Sequence, residues 1–323
     1  MKQIKCGDSR ELLKEVNDQS VDMVYFDPPF NSNRKYRLDT SSDLGFDDIW
    51  KDNDEYIGLV EPIMIECKRA LKDKGSFFFH ISADQMLIPN MLCSKHFERV
   101  QPIFWKRSRS KNNTKKKLGA CTDVIFWCSK TDKPNFNMVY QPLDSYYAEH
   151  SYKNKDKRGN FALGHVCYTK TQAPDPKKSK DRYYTLTHKS TSYTPKYGWR
   201  MSKDDLDALV KDDRIYFPKK KGGNPYKKIY MHESKGKPST DYWDDIHSIA
   251  QGAESRKYPT QKPIKLMERI IEMSTKEGDL VLDPVAGSGT TGIAAKNLKR
   301  SYILFDKNPD AVILCREALE GGE

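Results

Sequence analysis

Long apolar runs are missing from this 323-residue chain: hydrophobic residues make up 37% of it, and no stretch is long enough to span a bilayer. A charged-then-apolar signal segment at Met1 is missing too. The expected setting is therefore a reducing cytoplasm, bacterial or phage-encoded, with the protein associated with the nucleoid and no membrane partner. Among the seven cysteines (Cys6, Cys67, Cys93, Cys121, Cys128, Cys167 and Cys315) there is no CxxC pair and no Cys/His metal spacing. That argues against a disulfide scaffold or a zinc site and predicts free, mostly buried thiols with no metal.

An excess of acid is also absent. Lysine and arginine number 56 against 45 aspartates and glutamates, a net charge of +11. Residues 151–240 hold 22 basic and 9 acidic residues, a net +13, which leaves the other 233 residues near −2. Concentrated basicity beside a near-neutral remainder predicts a lobe that faces nucleic acid, attached to an ordinary folded core.

Seven short β-like runs are present: Gln3 to Cys6, Val21 to Phe26, Ser76 to Ile81, Val100 to Trp105, Val124 to Cys128, Leu280 to Leu282 and Tyr302 to Phe305. Apolar residues recur at helical spacing in Ser9 to Val16, Asp54 to Leu71, Lys262 to Ser274 and Thr290 to Leu298. Alternation of this kind predicts an α/β fold with a mostly parallel, Rossmann-like sheet, because parallel strands need helical crossovers. The stretch between Lys133 and Lys257, rich in Tyr, Lys, Asn and Pro, reads as an insertion. The chain thus divides into 1–132, 133–257 and 258–323. Within the first part, Lys106 to Lys117 is almost devoid of apolar residues and reads as an exposed loop; Lys106, Arg107, Arg109, Lys115 and Lys116 are candidate DNA contacts, alongside Trp105. Lys219, Lys220 and Lys221 in the insertion are further candidates. Tyr183, Tyr184, Tyr193, Tyr197, Trp199, Tyr226 and Tyr230 lie among its lysines, which suits phosphate contact and base stacking for some and a small core for others.

Two loops carry the chemistry. Leu280-Val-Leu-Asp283-Pro-Val-Ala286-Gly287-Ser288-Gly289-Thr290-Thr291-Gly292 reads as a buried strand, a tight glycine turn and a helix start, the geometry of a nucleotide-type cofactor site. Asp306 lies 19 residues past Gly287, placed to accept hydrogen bonds from ribose hydroxyls. The pattern alone also fits a dinucleotide fingerprint, or plain close packing. Asp283 before the turn would repel a pyrophosphate and attract the ammonium and sulfonium of S-adenosylmethionine.

The second loop, Asp27-Pro28-Pro29-Phe30, follows the strand Val21 to Phe26. Its prolines have no N–H, so the turn offers a carboxylate and carbonyl oxygens without competing donors, capped by an aromatic ring. Methylation of an exocyclic base amine needs such a surface, since the nitrogen lone pair is delocalised into the ring. Hydrogen bonds from the amine to the Asp27 carboxylate and the Pro28 carbonyl would localise it, with Phe30 stacked on the base. A bare turn remains the alternative.

Together these segments resemble the β-class of amino DNA methyltransferases over most of the chain. Gly7-Asp8-Ser-Arg-Glu-Leu-Leu is similar to the segment contacting the cofactor's adenine, with Asp8 as the candidate. Asp27 to Phe30 resembles the catalytic DPPY-type motif, Tyr258-Pro-Thr-Gln-Lys262-Pro263 the TQKP element, and Asp283 to Thr291 the cofactor loop. His80, closing Phe77-Phe78-Phe79-His80, resembles a cofactor-pocket position, with a hydrogen-bonded histidine at a strand end as the equal alternative. Gly198-Trp199-Arg200, Tyr216 to Gly223 and Tyr242-Trp243-Asp244-Asp245-Ile246 resemble segments of one branch. The resemblance implies a circularly permuted seven-stranded sheet, S-adenosylmethionine as cofactor, an inserted target-recognition region, base flipping from duplex DNA, a homodimer, and a cognate restriction endonuclease as partner. Two departures stand out: Val285 replaces the aromatic residue common before the glycine turn, and Phe30 replaces tyrosine. Aspartate at the first motif position favours adenine N6 over cytosine N4. Besides cytosine N4, the rivals are a nicotinamide-dependent oxidoreductase, which leaves Asp27 to Phe30 unexplained, and a DNA-binding protein without catalysis.

Overall fold

The computed structural model of the chain describes residues 1–32, 34–37, 45–107, 118–219, 222–249, 258 and 261–321. They form two compact units, 1–139 with 238–323, and 140–237. The larger unit is built on an eight-stranded sheet. Its strands are β1 (Lys2–Cys6), β2 (Val21–Phe26), β3 (Leu71–Ser82), β4 (Arg99–Lys106), β5 (Thr122–Ser129), β6 (Tyr242–Trp243), β7 (Leu280–Asp283) and β8 (Ser301–Asp306). They lie in the order β1-β8-β7-β2-β3-β5-β4-β6. All neighbouring pairs are parallel except those of β5 with β3 and with β4.

Each of the seven expected runs is a strand, and β2 shows why the pattern was strong. All six of its residues are buried, as expected of a parallel strand covered on both faces. Alternation sends Val24 and Phe26 into one apolar layer and Met23 and Tyr25 into the other. Phe77 and Phe79 of β3 join the first layer and Phe78 the second.

The helices are α1 (Ser9–Leu12), α2 (Asn53–Ala70), α3 (Leu87–His96), α4 (Ile264–Ser274), α5 (Thr290–Asn297) and α6 (Pro309–Glu320). Tyr56, Val60, Ile63 and Met64 of α2 and Leu92 and Cys93 of α3 cover the first layer. Leu266, Met267, Ile270 and Ile271 of α4, with Ile293 to Ala295 of α5 and Cys315 and Leu319 of α6, cover the second. The result is a three-layer α/β sandwich. Helices α3 and α6 escaped the sequence reading, and Ser9 to Val16 is a single α-turn followed by a 3₁₀ turn at Leu13–Glu15.

The division of the chain differs from the sequence reading. Residues 133–139 and 238–249 belong to the larger unit, where Tyr242–Trp243 adds an eighth strand beside β4. Trp243 is buried beneath the Arg269 guanidinium, which pairs with Asp245, and Trp105 Nε1 donates to the Ile246 carbonyl at 2.7 Å. The smaller unit carries an antiparallel sheet of Ile215–Tyr216, Tyr226–Tyr230, Gly159–His165 and Asn154–Asp156, a hairpin of Leu186–His188 with Thr191–Tyr193, and a helix at Lys203–Lys211. Its core gathers Val166, Cys167, Leu186, Trp199, Leu206 and Ile215.

Five cysteines are buried, whereas Cys121 is half-buried and Cys6 exposed, at the open end of β1. Among the described residues no helix is long and apolar enough to cross a membrane.

Candidate active site

Strands β1, β8, β7 and β2 run parallel and adjacent, so their carboxyl ends share one edge of the sheet. Asp306 and Asp283 end β8 and β7, and Asp8 and Asp27 lie in the loops that leave β1 and β2. That edge is where open α/β sheets hold ligands. A cavity of about 470 Å³ opens there, lined by all four aspartates, and its size falls within the roughly 300–1,000 Å³ of ligand pockets.

The β7 loop is shaped by its glycines. Gly287 and Gly289 adopt φ of +51° and +77°, and a Cβ on Gly287 would come within 3.1 Å of the Tyr258 ring. The turn is braced from below: the Gly287 N–H donates to Asp306 Oδ2 at 2.8 Å, and the Asn308 N–H to Oδ1 at 2.9 Å. Burial pushes the Asp306 carboxyl up, against these two hydrogen bonds. Asp283 accepts from the Thr291 hydroxyl at 2.6 Å and the Val285 N–H at 3.0 Å. Burial, assisted by the nearby Asp27 and Asp306 carboxylates, nevertheless pushes it up to about 7. Buried carboxyl groups whose charge is disfavoured by desolvation form a wall that favours positive charge, which fits the cationic end of S-adenosylmethionine.

The β2 loop forms the opposite wall. Asp27 Oδ2 accepts from Lys262 Nζ at 2.5 Å, and the same ammonium lies 5.2 Å from the centre of the Phe30 ring. Asp27 Oδ1 is buried and accepts no hydrogen bond among the described residues. An unmet carboxylate oxygen at a cavity wall is costly unless a ligand supplies a donor.

Nearly all of the expected cofactor residues converge on this cavity: Asp8, Lys262, Asp283, Ala286, Gly287, Ser288, Thr290, Thr291 and Asp306 line it, as do Asp27 to Phe30. His80, Pro263 and Gly289 are not in its lining. Pro263 is the N-cap of α4. Gly289 is the N-cap of α5, so close to α6 that a Cβ would meet Cys315 Sγ at 2.8 Å. His80 is fully buried beneath the β2 loop; its Nδ1 lies 2.6 Å from the Tyr25 hydroxyl and 3.9 Å from Asp27 Oδ1, and its Nε2 lies 3.4 Å from Asp123.

Sequence reasoning missed Tyr36, Asp47 and Asp48, cavity residues supplied by a hairpin of Arg34–Arg37 with Gly45–Asp48. The available signal was the acid pair set between the aromatic residues Phe46 and Trp50. Tyr258 and Gln261 also line the wall, from the TQKP-like segment.

Of the candidate DNA contacts, Lys106 ends β4 and Arg107 Nε lies 3.0 Å from the buried Asp123 carboxylate, so Arg107 is partly neutralised. Lys219 is exposed. Arg109, Lys115, Lys116, Lys220 and Lys221 lie outside the described residues. Part of the basic block is consumed internally: Arg158 and Arg214 pair with Asp212, Arg214 with Glu233, and the buried Lys228 with Asp156 and Asp213. Trp199 is buried with Tyr184 stacked on it at 5.4 Å, so these two build the small core, whereas Tyr230 is buried against Phe161.

Known proteins resemble this chain in sequence and in fold. The Mod subunit of the type III restriction-modification enzyme StyLTI from Salmonella typhimurium is 25% identical over 92% of this chain and 51% of its own length. The chain therefore spans about half of that relative. DNA adenine methyltransferase YhdJ of Escherichia coli is 25% identical over 96% of the chain and 80% of its own. The crystal structure of the M1.HpyAVI–SAM complex superposes with a TM-score of 0.52 at 18% identity, covering 99% of both chains, a likeness of fold. The DNA methylase family N6_N4_Mtase matches residues 21–317, nearly the whole chain, and the protein belongs to that family.

Proposed function

We propose that the chain transfers a methyl group from S-adenosylmethionine to adenine N6 in duplex DNA, with Asp27, Pro28, Pro29 and Phe30 as the catalytic loop. The observation that carries this reading is the unmet Asp27 Oδ1 at a cavity whose other wall is the glycine turn. The cofactor would supply an electrophilic methyl group, and the chain supplies the rest. Gly287, Ser288, Thr290 and Thr291 offer the turn, Asp283 and Asp306 the acidic wall, and Asp8 a rim position.

A flipped base placed against Phe30 brings its amine to Asp27. One N–H donates to Oδ1 and the other to the Pro28 carbonyl, which draws the lone pair out of the ring and toward the methyl donor. The amine gains a carbon and sheds one proton, which the Asp27 carboxylate is placed to receive. Lys262 holds the other oxygen of Asp27 and so orients the carboxylate.

Adenine follows from aspartate at the first loop position, and the YhdJ name supports it. Duplex DNA is the partner, engaged through Lys106, Lys219 and other exposed lysines of residues 140–237. The Mod subunit's name supports a cognate restriction endonuclease as a further partner. Self-association into a homodimer is read by light scattering.

The test is incubation with isotopically labelled S-adenosylmethionine and duplex DNA, followed by mass spectrometry of the nucleosides. N6-methyladenine is expected. N4-methylcytosine would reassign the base, and no cofactor binding in calorimetry would end the reading.

A further inference from the structure

The β2 loop has a second anchor that touches none of the reacting groups. Its two prolines carry no N–H, so the first amide donors after them belong to Phe30, Asn31 and Ser32. All three converge on the carboxylate of Asp48. Phe30 N–H donates to Oδ2 at 3.1 Å, Asn31 N–H to Oδ1 at 2.8 Å and Ser32 N–H to Oδ2 at 2.9 Å. The Ser32 hydroxyl adds a bond to Oδ2 at 2.6 Å and the Trp50 indole one to Oδ1 at 2.9 Å. Asn31 stands at φ +57°, the left-handed conformation that turns successive amides toward one anion.

Asp48 is fully buried, and five donors leave its two oxygens no capacity to act as a base. Its effect is geometric. The pyrrolidine ring locks φ of Pro29, so ψ of Pro29 is the one soft torsion between the Pro28 carbonyl and the Phe30 amide. Holding the Phe30 N–H sets that torsion, and with it the direction of the Pro28 carbonyl and the seat of the Phe30 ring.

We propose that Asp48 is a positioning residue for methyl transfer, acting through the backbone of Phe30 to Ser32 on the acceptor surface presented to the base. This rests on the reading of Asp27 to Phe30 as the catalytic loop.

The experiment compares the full chain with Asp48→Asn and Asp48→Ala in three measurements: amide hydrogen exchange at residues 30–32, cofactor affinity by calorimetry, and the single-turnover rate of DNA methylation. Protected amides are expected in the parent and fast exchange in Asp48→Ala. The single-turnover rate of that variant should fall about ten- to hundredfold, as misplacement near 1 Å does. Cofactor affinity should stay within about twofold, and Asp48→Asn, which keeps one acceptor oxygen, should be intermediate. A purely structural role would lower the melting temperature while leaving the rate per folded molecule unchanged. An Asp48→Ala rate within about twofold of the parent overturns the proposal. Rapidly exchanging amides at 30–32 in the parent also overturn it. A parent protein that methylates no DNA removes the functional reading instead, while the exchange data still report whether Asp48 holds the loop.

Discussion

Lys262 reaches across from the segment before α4 to set its ammonium 2.5 Å from Asp27 Oδ2, linking residues 235 positions apart. Both side chains are largely buried, at 10% and 19% exposure, so the pair is screened far less than a surface salt bridge. In the sequence Lys262 belongs to the TQKP-like element. The structure pairs it with Asp27, while it still lines the shared cavity. Lys262→Met leaves the carboxylate without this cation. A charged hydrogen bond is worth about 1.5–3 kcal/mol, so single-turnover methylation should drop at least roughly tenfold. Lys262→Arg should recover part of the rate. Parent-like kinetics in Lys262→Met would show the pair to be dispensable.

Asp27→Ala removes the acceptor for the base amine. Loss of one such transition-state interaction typically costs about 100- to 1,000-fold, and methylation should fall by at least that much. DNA binding measured by anisotropy should survive. Phe30→Ala should lose about 1–3 kcal/mol of base stacking, whereas Phe30→Tyr should be close to neutral because stacking uses the ring face.

The raised Asp283 carboxyl predicts a pH signature. An ordinary aspartate titrates near 3.8, but Asp283 in the fold titrates near 7. Between those values the unfolded chain has released a proton that the folded chain keeps. Ionisation of Asp283 therefore lowers stability as pH rises from about 4 to about 7, and the effect levels off above that. A cationic ligand beside Asp283 favours the ionised form. S-adenosylmethionine should accordingly bind more tightly as pH rises toward 7 and should release a proton on binding at pH 6 but not at pH 8. Calorimetry in buffers of different ionisation enthalpy reads this directly. Asp283→Asn should erase the pH dependence, and a pH-independent parent would refute the assignment.

The smaller unit predicts two classes of basic residue. Affinity for DNA should fall steeply with salt, with a log–log slope near −0.9 per phosphate contact. Neutralising the exposed Lys219 should reduce the slope if it meets a phosphate. Arg214→Ala should instead leave the slope nearly unchanged and lower the thermal stability of the unit only slightly, because its partners Asp212 and Glu233 are exposed and Asp212 keeps Arg158. Equal changes in slope from both variants would contradict this division.

Much of the core was legible from local pattern. Strands buried on both faces of the sheet write continuous apolar runs, and β2, β3, β5 and β8 announced themselves in that way. The diproline turn and the glycine turn are local too, since proline locks φ and glycine permits the left-handed φ that a tight turn needs. The strand at Tyr242–Trp243 was illegible as a strand, because two residues have no periodicity and pairing with β4 alone defines them. Helix α3 was missed for a related reason: Pro89 in its first turn and a weak apolar stripe look like a loop until packing on β5 and β4 of the sheet is present.

The residue types in each loop, and so the acceptor chemistry of Asp27 to Phe30 and the turn of Gly287 to Gly289, were determined by the sequence by itself. Which groups answer them was decided only by tertiary structure. Lys262 on Asp27, Asp48 on the amides of residues 30–32, Asp306 under Gly287 and Arg214 on Glu233 are all pairings between segments that meet because strands align and helices pack. A charged side chain reads the same in sequence whether it faces solvent or a buried partner; burial makes the difference, and burial is a property of the folded chain.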